Sequence, residues 1–432
     1  MPHSPARITA ATIIGLFTTF SVAQAAPAQL AGGLEPPGAG LSVPTPLVQT
    51  PEEALAEDAG EYARRNGVGL DEAVRRLRAQ EESVRFTDRL GKTLKDRLAG
   101  ISIEHSPEYR IVVLLTGSEP VPDQSLFAAG MTVPVIFHTG AAATHDQVVS
   151  AMWQHRDAIR AAAPKSQGMG FDPRTGELVL LVRSAGSGLL APAELEGQLE
   201  ALTGVPVRVR VLDSEDTNLG IGGGSRVEGI SLEDGRRYAC TTGFVVTDGT
   251  QTGVVTAAHC PDTLTYFDPE GGEVPLSFVG GWGARYQDVQ VHVAPQPLKP
   301  QFYADARKRA LRNVTTRRRR TSTRAGDAVC HRGETTGYSC SEVELTDYAP
   351  PGELCGGPCD PVWVTVTGPS CRGGDSGGPI FHGTVAFGIA KGGNYSRSGR
   401  CNFYYYMSTD YLPEGWSLST VGAVQARRRN GD

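Results

Sequence analysis

Apolar and polar positions follow three rhythms along this chain. Between residues 52 and 99 the spacing is helical: Val74, Leu77 and Val84 share one face, and Leu90, Leu94 and Leu98 continue the same period. Asp71 stands where a helix cap is expected, and the dense Arg, Glu and Asp of the other faces are expected to be solvated. Next comes an α/β rhythm. YRIVVLLTG and TVPVIFHTG have the β-branched, apolar character of strands, and THDQVVSAMWQHRDAIRAAA predicts a helix capped by Thr144 or Asp146. GFDPRTGELVLLVRS predicts a hairpin turning at Arg174, Thr175 and Gly176. A helix through PAELEGQLEALTG and a strand VPVRVRVL close this unit. Beyond Gly224 only short apolar runs remain, among them TTGFVVT, TGVVTAA, VQVHV, VWVTVTG and VAFGIA, with one short helical stretch near the C-terminus. Many short strands between Gly/Pro turns predict a barrel or a sandwich.

Two segments interrupt these rhythms. Residues 26–51 carry Pro27, Pro36, Pro37, Pro44, Pro46 and Pro51 among Gly and Ala, the composition of a linker. Asp213–Gly224, DSEDTNLGIGGG, is acidic and then glycine-rich; it predicts a mobile linker of the kind proteases nick. The first 25 residues resemble a secretory signal: His3 and Arg7, an apolar stretch from Ile8 to Phe20, then Ala23-Gln24-Ala25 as a cleavage site. That apolar stretch is too short to span a bilayer, which needs about 20 residues. The expected division is therefore 1–25 signal, 26–51 linker, 52–215 first region and 216–432 second region.

Charge and cysteine placement narrow the chemistry. The net charge of −6 favours no nucleic-acid partner. The basic run TTRRRRTSTRAG, with Arg317 to Arg324, lacks interleaved aromatics and is expected to be an exposed strand pair with its charges outward. All eight cysteines lie between Cys240 and Cys401, which in an exported chain predicts disulfides, although spacing alone leaves the pairing open. Cys355 and Cys359 are four apart, but no Cys/His pair of finger-like spacing follows, so no metal is expected. His105, His138, His145 and His155 are expected to be surface or hydrogen-bonded core residues.

The sharpest chemical signal is GPSCRGGDSGGPIF, Gly368 to Phe381, which sets Ser376 among glycines. A serine hydroxyl needs an adjacent base to become nucleophilic, and glycines let backbone N–H groups and substrate come close. Gly374-Asp375-Ser376-Gly377-Gly378 also fits the G-x-S-x-G elbow, which requires an acid and then a histidine after the serine. The downstream histidine here, His382, precedes Asp410, so that order fails. The opposite order is present: His259 in GVVTAAHC, Asp288 in YQDVQVHV 29 residues later, and then Ser376. Such distant residues meet only if the fold brings separate loops together.

VVTAAHC and GDSGGP are similar to the two signatures of chymotrypsin-like serine proteases, in the form found in the secreted bacterial branch of streptogrisins and α-lytic protease. The short loop VCHRGETTGYSC and the segment KGGN before Cys401 add to the likeness, which spans about 220 to 422. Residues from about 52 to 213 resemble, more loosely, the pro-regions of those enzymes. The resemblance implies an all-β double β-barrel protease domain preceded by an α/β (α+β) pro-region. It implies that Ser376 attacks, His259 is the base, Asp288 orients it, and the N–H groups of Gly374 and Ser376 form an oxyanion hole. Lys391, Gly392 and Gly393 would pair with substrate backbone, and Ser370 and Arg372 would line the primary pocket. Implied disulfides are Cys240–Cys260, Cys330–Cys340, Cys371–Cys401 and, last, Cys355–Cys359.

Two departures stand out. The bacterial branch pairs the aspartate before the serine with an arginine; here His331 occupies that place, so Arg332 is expected to serve Asp375 instead. Lys391 stands where serine is usual, adding charge near the cleft or altering the hydrogen bonds of Asp288. No aspartate flanks Cys371, so an apolar or medium-sized residue is expected at the cleavage site, with Arg372 and Lys391 leaving an acidic preference open. The implied protein is a secreted, monomeric serine endopeptidase acting on polypeptides, without cofactor, membrane or nucleic-acid partner. Its own pro-region would serve as intramolecular inhibitor and folding aid. The competing reading is a peptide-binding pseudoprotease.

Overall fold

The structure, a computed structural model, describes residues 46–164, 166–183, 191–213, 216–218, 225–232, 234–268, 272–396 and 400–430. The expected signal, most of the 26–51 linker and most of Asp213–Gly224 lie outside the described residues. Helix α1, Pro51–Asn66, opens on a capping box: Thr50 Oγ1 accepts from Glu53 N–H, and the Glu53 carboxylate accepts from Thr50 N–H. Helix α2, Leu70–Thr93, starts from Gly69 without a side-chain cap, so Asp71 lies inside the first turn, where its charge suits the helix dipole. The helical rhythm stops at Thr93, and Leu98 begins the strand Leu98–Glu104. Pairing overrides the periodicity there: Ile101 and Ile103 sit opposite Val113 and Ile111 of Arg110–Thr116.

That pair continues into a four-stranded sheet through Met131–Ala141 and Gln124–Ala128. A second sheet joins Ser166–Asp172, Glu177–Arg183 and Val207–Leu212, with Thr346–Ala349 of the second half added at its edge. Helices α3, His145–Ala162, capped by Thr144, and α4, Pro192–Thr203, bury Val148, Met152, Ile159, Leu195 and Leu199 against Leu178 and Leu180 of that sheet.

The second half is mostly β, as its short apolar runs require; the described helix there is α5, Val421–Asn430. One antiparallel sheet runs in the order Arg237–Thr241, Arg226–Ile230, Leu264–Phe267, Glu273–Trp282, Val289–Val293, Thr252–Thr256, Val245–Thr247, Ser417–Leu418. The other runs Gly337–Glu342, Ala328–Gly333, Pro379–His382, Val385–Tyr395, Cys401–Ser408, Val364–Thr367. Val255, Val291 and Phe244 of the first sheet meet Phe381, Ile389, Tyr405 and Met407 of the second in one buried cluster. Loops at this junction can therefore approach one another.

The two halves are joined by buried charge, and here the structure departs from expectation. The basic run is not an exposed strand pair. Only Thr316–Arg317 is a strand, Arg320–Ser322 is a 3₁₀ turn, and Arg318 and Arg324 are buried. Arg318 pairs with Glu81 of α2 at 2.6 Å and with Asp327 at 2.9 Å. Arg324 donates to Ser83 Oγ at 2.9 Å and to the Gln80 carbonyl at 2.8 Å, both in α2. An arginine stem buries apolar surface, and its head needs acceptors, which α2 supplies. Arg312, fully buried, pairs with Asp58 at 2.8 Å and Glu57 at 2.9 Å, both on α1. Asp58 also accepts from Tyr338 O–H at 2.6 Å and from Gly383 N–H. The end of the expected linker is ordered too, because Leu47–Gln49 finds a partner strand in Ala310–Asn313. His105 and His145 serve the same contact: His105 bonds Tyr62 O–H and the Gly326 carbonyl at 2.7 Å each, and His145 bonds Asp347 at 2.9 Å.

Removing one member of a buried, hydrogen-bonded pair leaves its partner uncompensated. Made in a Ser376→Ala background that keeps the chain uncut, Asp58→Ala is expected to lower the unfolding free energy of the full-length chain by about 3–5 kcal/mol. Glu72→Ala removes a half-exposed pair to Arg75 and a second to Arg76, which keeps its bond to the His105 carbonyl; it is expected to cost less than about 1 kcal/mol. Urea unfolding of both variants checks the contrast, and equal losses would refute it.

Candidate active site

His259 and Asp288 meet because their strands are paired. Thr252–Thr256 lies antiparallel to Val289–Val293, with Val255 opposite Val291 and Thr256 opposite Gln290. The chain leaving Thr256 therefore turns beside the start of the partner strand, where Asp288 stands. Gln290 Nε2 clamps that turn by donating to the carbonyls of Ala257 at 3.0 Å and Cys260 at 3.3 Å. The Cys240–Cys260 disulfide ties it to the neighbouring strand Arg237–Thr241.

Ser376 enters from the second sheet, on the loop before Pro379–His382. Thr241 N–H donates to the Ser376 carbonyl at 2.8 Å and Gly377 N–H to the Ala390 carbonyl at 2.7 Å, so the serine is held between the two sheets. Gly377 has φ 81°, and a Cβ there would run into Thr256 Oγ1 and the Thr241 carbonyl. Gly374 has φ 114°. Both positions need the absence of a side chain, which accounts for glycines on either side of the serine.

The three residues form one hydrogen-bonded line. His259 Nδ1 lies 2.8 Å from Asp288 Oδ2, and His259 Nε2 lies 2.7 Å from Ser376 Oγ. Asp288 Oδ1 also accepts from His259 N–H at 3.2 Å. With Nδ1–H donated to the carboxylate, the Nε2 lone pair faces the serine hydroxyl. Asp288 is 2% exposed and Ser376 is fully buried, while His259 keeps partial access to solvent. Burial works against ionisation of Asp288, but the His259 and Lys391 charges and their hydrogen bonds outweigh it and hold the carboxyl well below the usual range.

Other residues singled out from sequence fall in several places. Ser370 Oγ is 2.8 Å from Ser339 Oγ. Arg372 is exposed and gives its backbone N–H to Asp375 at 3.1 Å. Gly392 and Gly393 are buried and carry a paired strand: Asp216–Asn218 runs antiparallel to them, with Asn218 opposite Gly392 and Thr217 opposite Gly393. Lys391 does not put its charge at the cleft surface. It is 1% exposed, with Nζ 3.3 Å from Asp288 Oδ2 and 5.1 Å from the centre of the Trp363 ring. The cysteines form Cys240–Cys260, Cys330–Cys340, Cys355–Cys359 and Cys371–Cys401.

Arg332 does not pair with Asp375. The Asp375 oxygens accept from the N–H groups of Thr335 and Thr336 at 3.2 Å each, from Thr336 Oγ1 at 2.7 Å and from Arg372 N–H. Arg332 turns instead to Glu334 at 3.2 Å and to the Asp305 carbonyl at 3.0 Å. Burial pushes the Asp375 carboxyl up to about 6 against the pull of its donors. Burial, helped by the Arg332 charge, brings His331 down to about 4, so its ring is neutral at pH 7. Thr335, Thr336, Gln290 and Trp363 were not legible as site residues. The two threonines fall inside the Cys330–Cys340 loop, a turn signal that says nothing of what the turn holds.

No family model matches the chain. Streptogrisin-C of Streptomyces griseus is 28% identical over 192 residues, which cover 42% of this chain and 38% of that protein. A glutamic acid-specific serine protease is 22% identical, covering 48% of this chain and 97% of its own, with a TM-score of 0.35. Nocardiopsis protease (NAPase) is 21% identical over 46% of this chain and 98% of its own, with a TM-score of 0.36. On its two motifs and on the streptogrisin match, the chain resembles the chymotrypsin-like serine proteases of bacteria.

Proposed function

We propose that this chain is a secreted serine endopeptidase, made with a pro-region that it removes itself. The observation that carries the reading is the hydrogen-bonded line from Asp288 through His259 to Ser376. In the proposed mechanism Ser376 Oγ attacks a peptide carbonyl carbon while His259 Nε2 takes its proton. The same nitrogen then returns that proton to the leaving amine, and a water molecule repeats the sequence on the acyl-enzyme. Asp288 fixes the tautomer and stabilises the imidazolium. The N–H groups of Gly374 and Ser376 would bind the developing oxyanion, each such donor being worth roughly 3 kcal/mol of transition-state stabilisation.

The finer architecture belongs to the same proposal: residues 216–432 as a double β-barrel protease, 52–215 as its pro-region. Main-chain pairing of Asp216–Asn218 with Gly392–Asn394 supports an intramolecular inhibitor, since it is the pairing an extended substrate would make. The strand runs toward Lys391 and Ser376, so self-cleavage is expected just beyond Asn218, within 219–221. The buried pairs from α1 and α2 to Arg312 and Arg318 support a folding role, because they join distant segments of a slow-forming non-local β topology.

Intact mass and N-terminal sequencing of the secreted product test this. Wild type is expected to shorten to a chain beginning within 219–222 and to label with a fluorophosphonate probe, whereas Ser376→Ala stays long and unlabelled. A wild type that stays full length and does not label would favour the pseudoprotease reading. Titration of Asp375 gives a second expectation, measured in the Ser376→Ala background. Its folded value, about 6, lies above the ordinary 3.8. The stability it supports is therefore complete below about 3.8, is lost progressively as pH rises, and the loss levels off above about 6. The loss is roughly 3 kcal/mol relative to Asp375→Asn, which does not titrate. A pH-independent difference between the two chains would refute this assignment.

A further inference from the structure

Lys391 is a buried cation, and its surroundings point to a role in the chemistry. Its Nζ shares Asp288 Oδ2 with His259 Nδ1, at 3.3 and 2.8 Å. The face of Trp363 covers the ammonium from another side, a contact that suits a cation. We infer that Lys391 is a positioning residue of the triad, holding the Asp288 carboxylate against the imidazole and sharing its charge, so that loss of the lysine changes the pH range over which Ser376 reacts. This inference rests on the proposed peptidase mechanism.

The physics follows from one shared oxygen. A lone buried carboxylate beside an imidazole strongly favours the imidazolium. A second cation on the same oxygen competes for that negative charge and repels the proton arriving on His259. The lysine also gives Oδ2 two donors, which restricts rotation of the carboxylate. The ionisable groups on the packed elements include His259 and Asp288 themselves, Tyr404, Tyr405 and Tyr406 of the adjoining strand, His382, Arg317 and Asp216 on the other strands paired with Val385–Tyr395, and Asp375 beside Ser376. Burial pushes the Tyr404 and Tyr406 phenols well above their ordinary values. Asp375 titrates near 6; it is common to every variant below, so the effect is read from differences.

The test is the second-order rate of fluorophosphonate labelling against pH, for proteins expressed from the full-length gene. K391M and K391S remove the charge and K391R retains it. The acidic limb of the rate profile is expected to move up by roughly half to one pH unit in K391M and K391S, with a roughly tenfold lower plateau in K391M. K391R is expected to keep the wild-type limb. Limbs of K391M and K391S that superpose on wild type overturn the inference while leaving the mechanism standing. So does a K391R that folds and labels when neither charge-free variant folds, because the lysine is then a stability element. A wild type that does not label at all overturns the mechanism, and this inference falls with it.

Discussion

A carboxylate that is 2% exposed stays charged only if donors surround it, and the arrangement of this site follows from that requirement at Asp288. Its oxygens take the His259 backbone N–H, the imidazole Nδ1–H and the Lys391 ammonium. Two of these donors belong to His259 and the third to Lys391, so the donors come from two distant stretches and the carboxylate from a third. The turn after Thr256, the start of Val289–Val293 and the strand Val385–Tyr395 must all be in register before the charge is compensated. The imidazole orientation that follows is the one that presents Nε2 to Ser376.

The same constraint governs the contact between the two halves. Arg312 and Arg318 belong to the second half, and acceptors for both come from α1 and α2. Apolar packing alone would leave the relative placement of helices and sheets loosely specified. Buried guanidinium heads demand particular carboxylates at particular distances, and removing either partner is costly. On the proposed reading, this contact and the strand Asp216–Asn218 act together: helices grip one face of the second half while a strand occupies its cleft edge. Cutting the linking segment would free the strand, whereas the charged contact persists until the helices themselves are released.

Local signals in the sequence were strong wherever neighbours in the chain decide the outcome. The helix through 145–162 and its Thr144 cap, the hairpin over 166–183 and the short strands of the second half all follow from periodicity and turn residues. His259, Asp288 and Ser376 could be named because motif spacing and order left few candidates. Signals failed where a distant partner decides. Leu98 continues a helical period yet joins a strand, because Arg110–Thr116 offers it a ladder. The basic run looked solvated because the α2 groups that cover it, Glu81, Ser83 and the Gln80 carbonyl, lie more than two hundred residues earlier.

By itself, then, the sequence determined the rhythm of elements, the β character of the second half and the residue types of the candidate site, since these depend on spacing and local chemistry. Only the tertiary structure decided which charges are buried and what they touch. Asp375 took the N–H groups of Thr335 and Thr336 rather than Arg332, because a tight turn brings small donors to a site where a guanidinium is drawn elsewhere. Lys391 turned inward to Asp288 and Trp363, because it is the extra residue where Val385–Tyr395 slips register between Ala390 and Gly392, and such a bulge re-aims the side chain it carries.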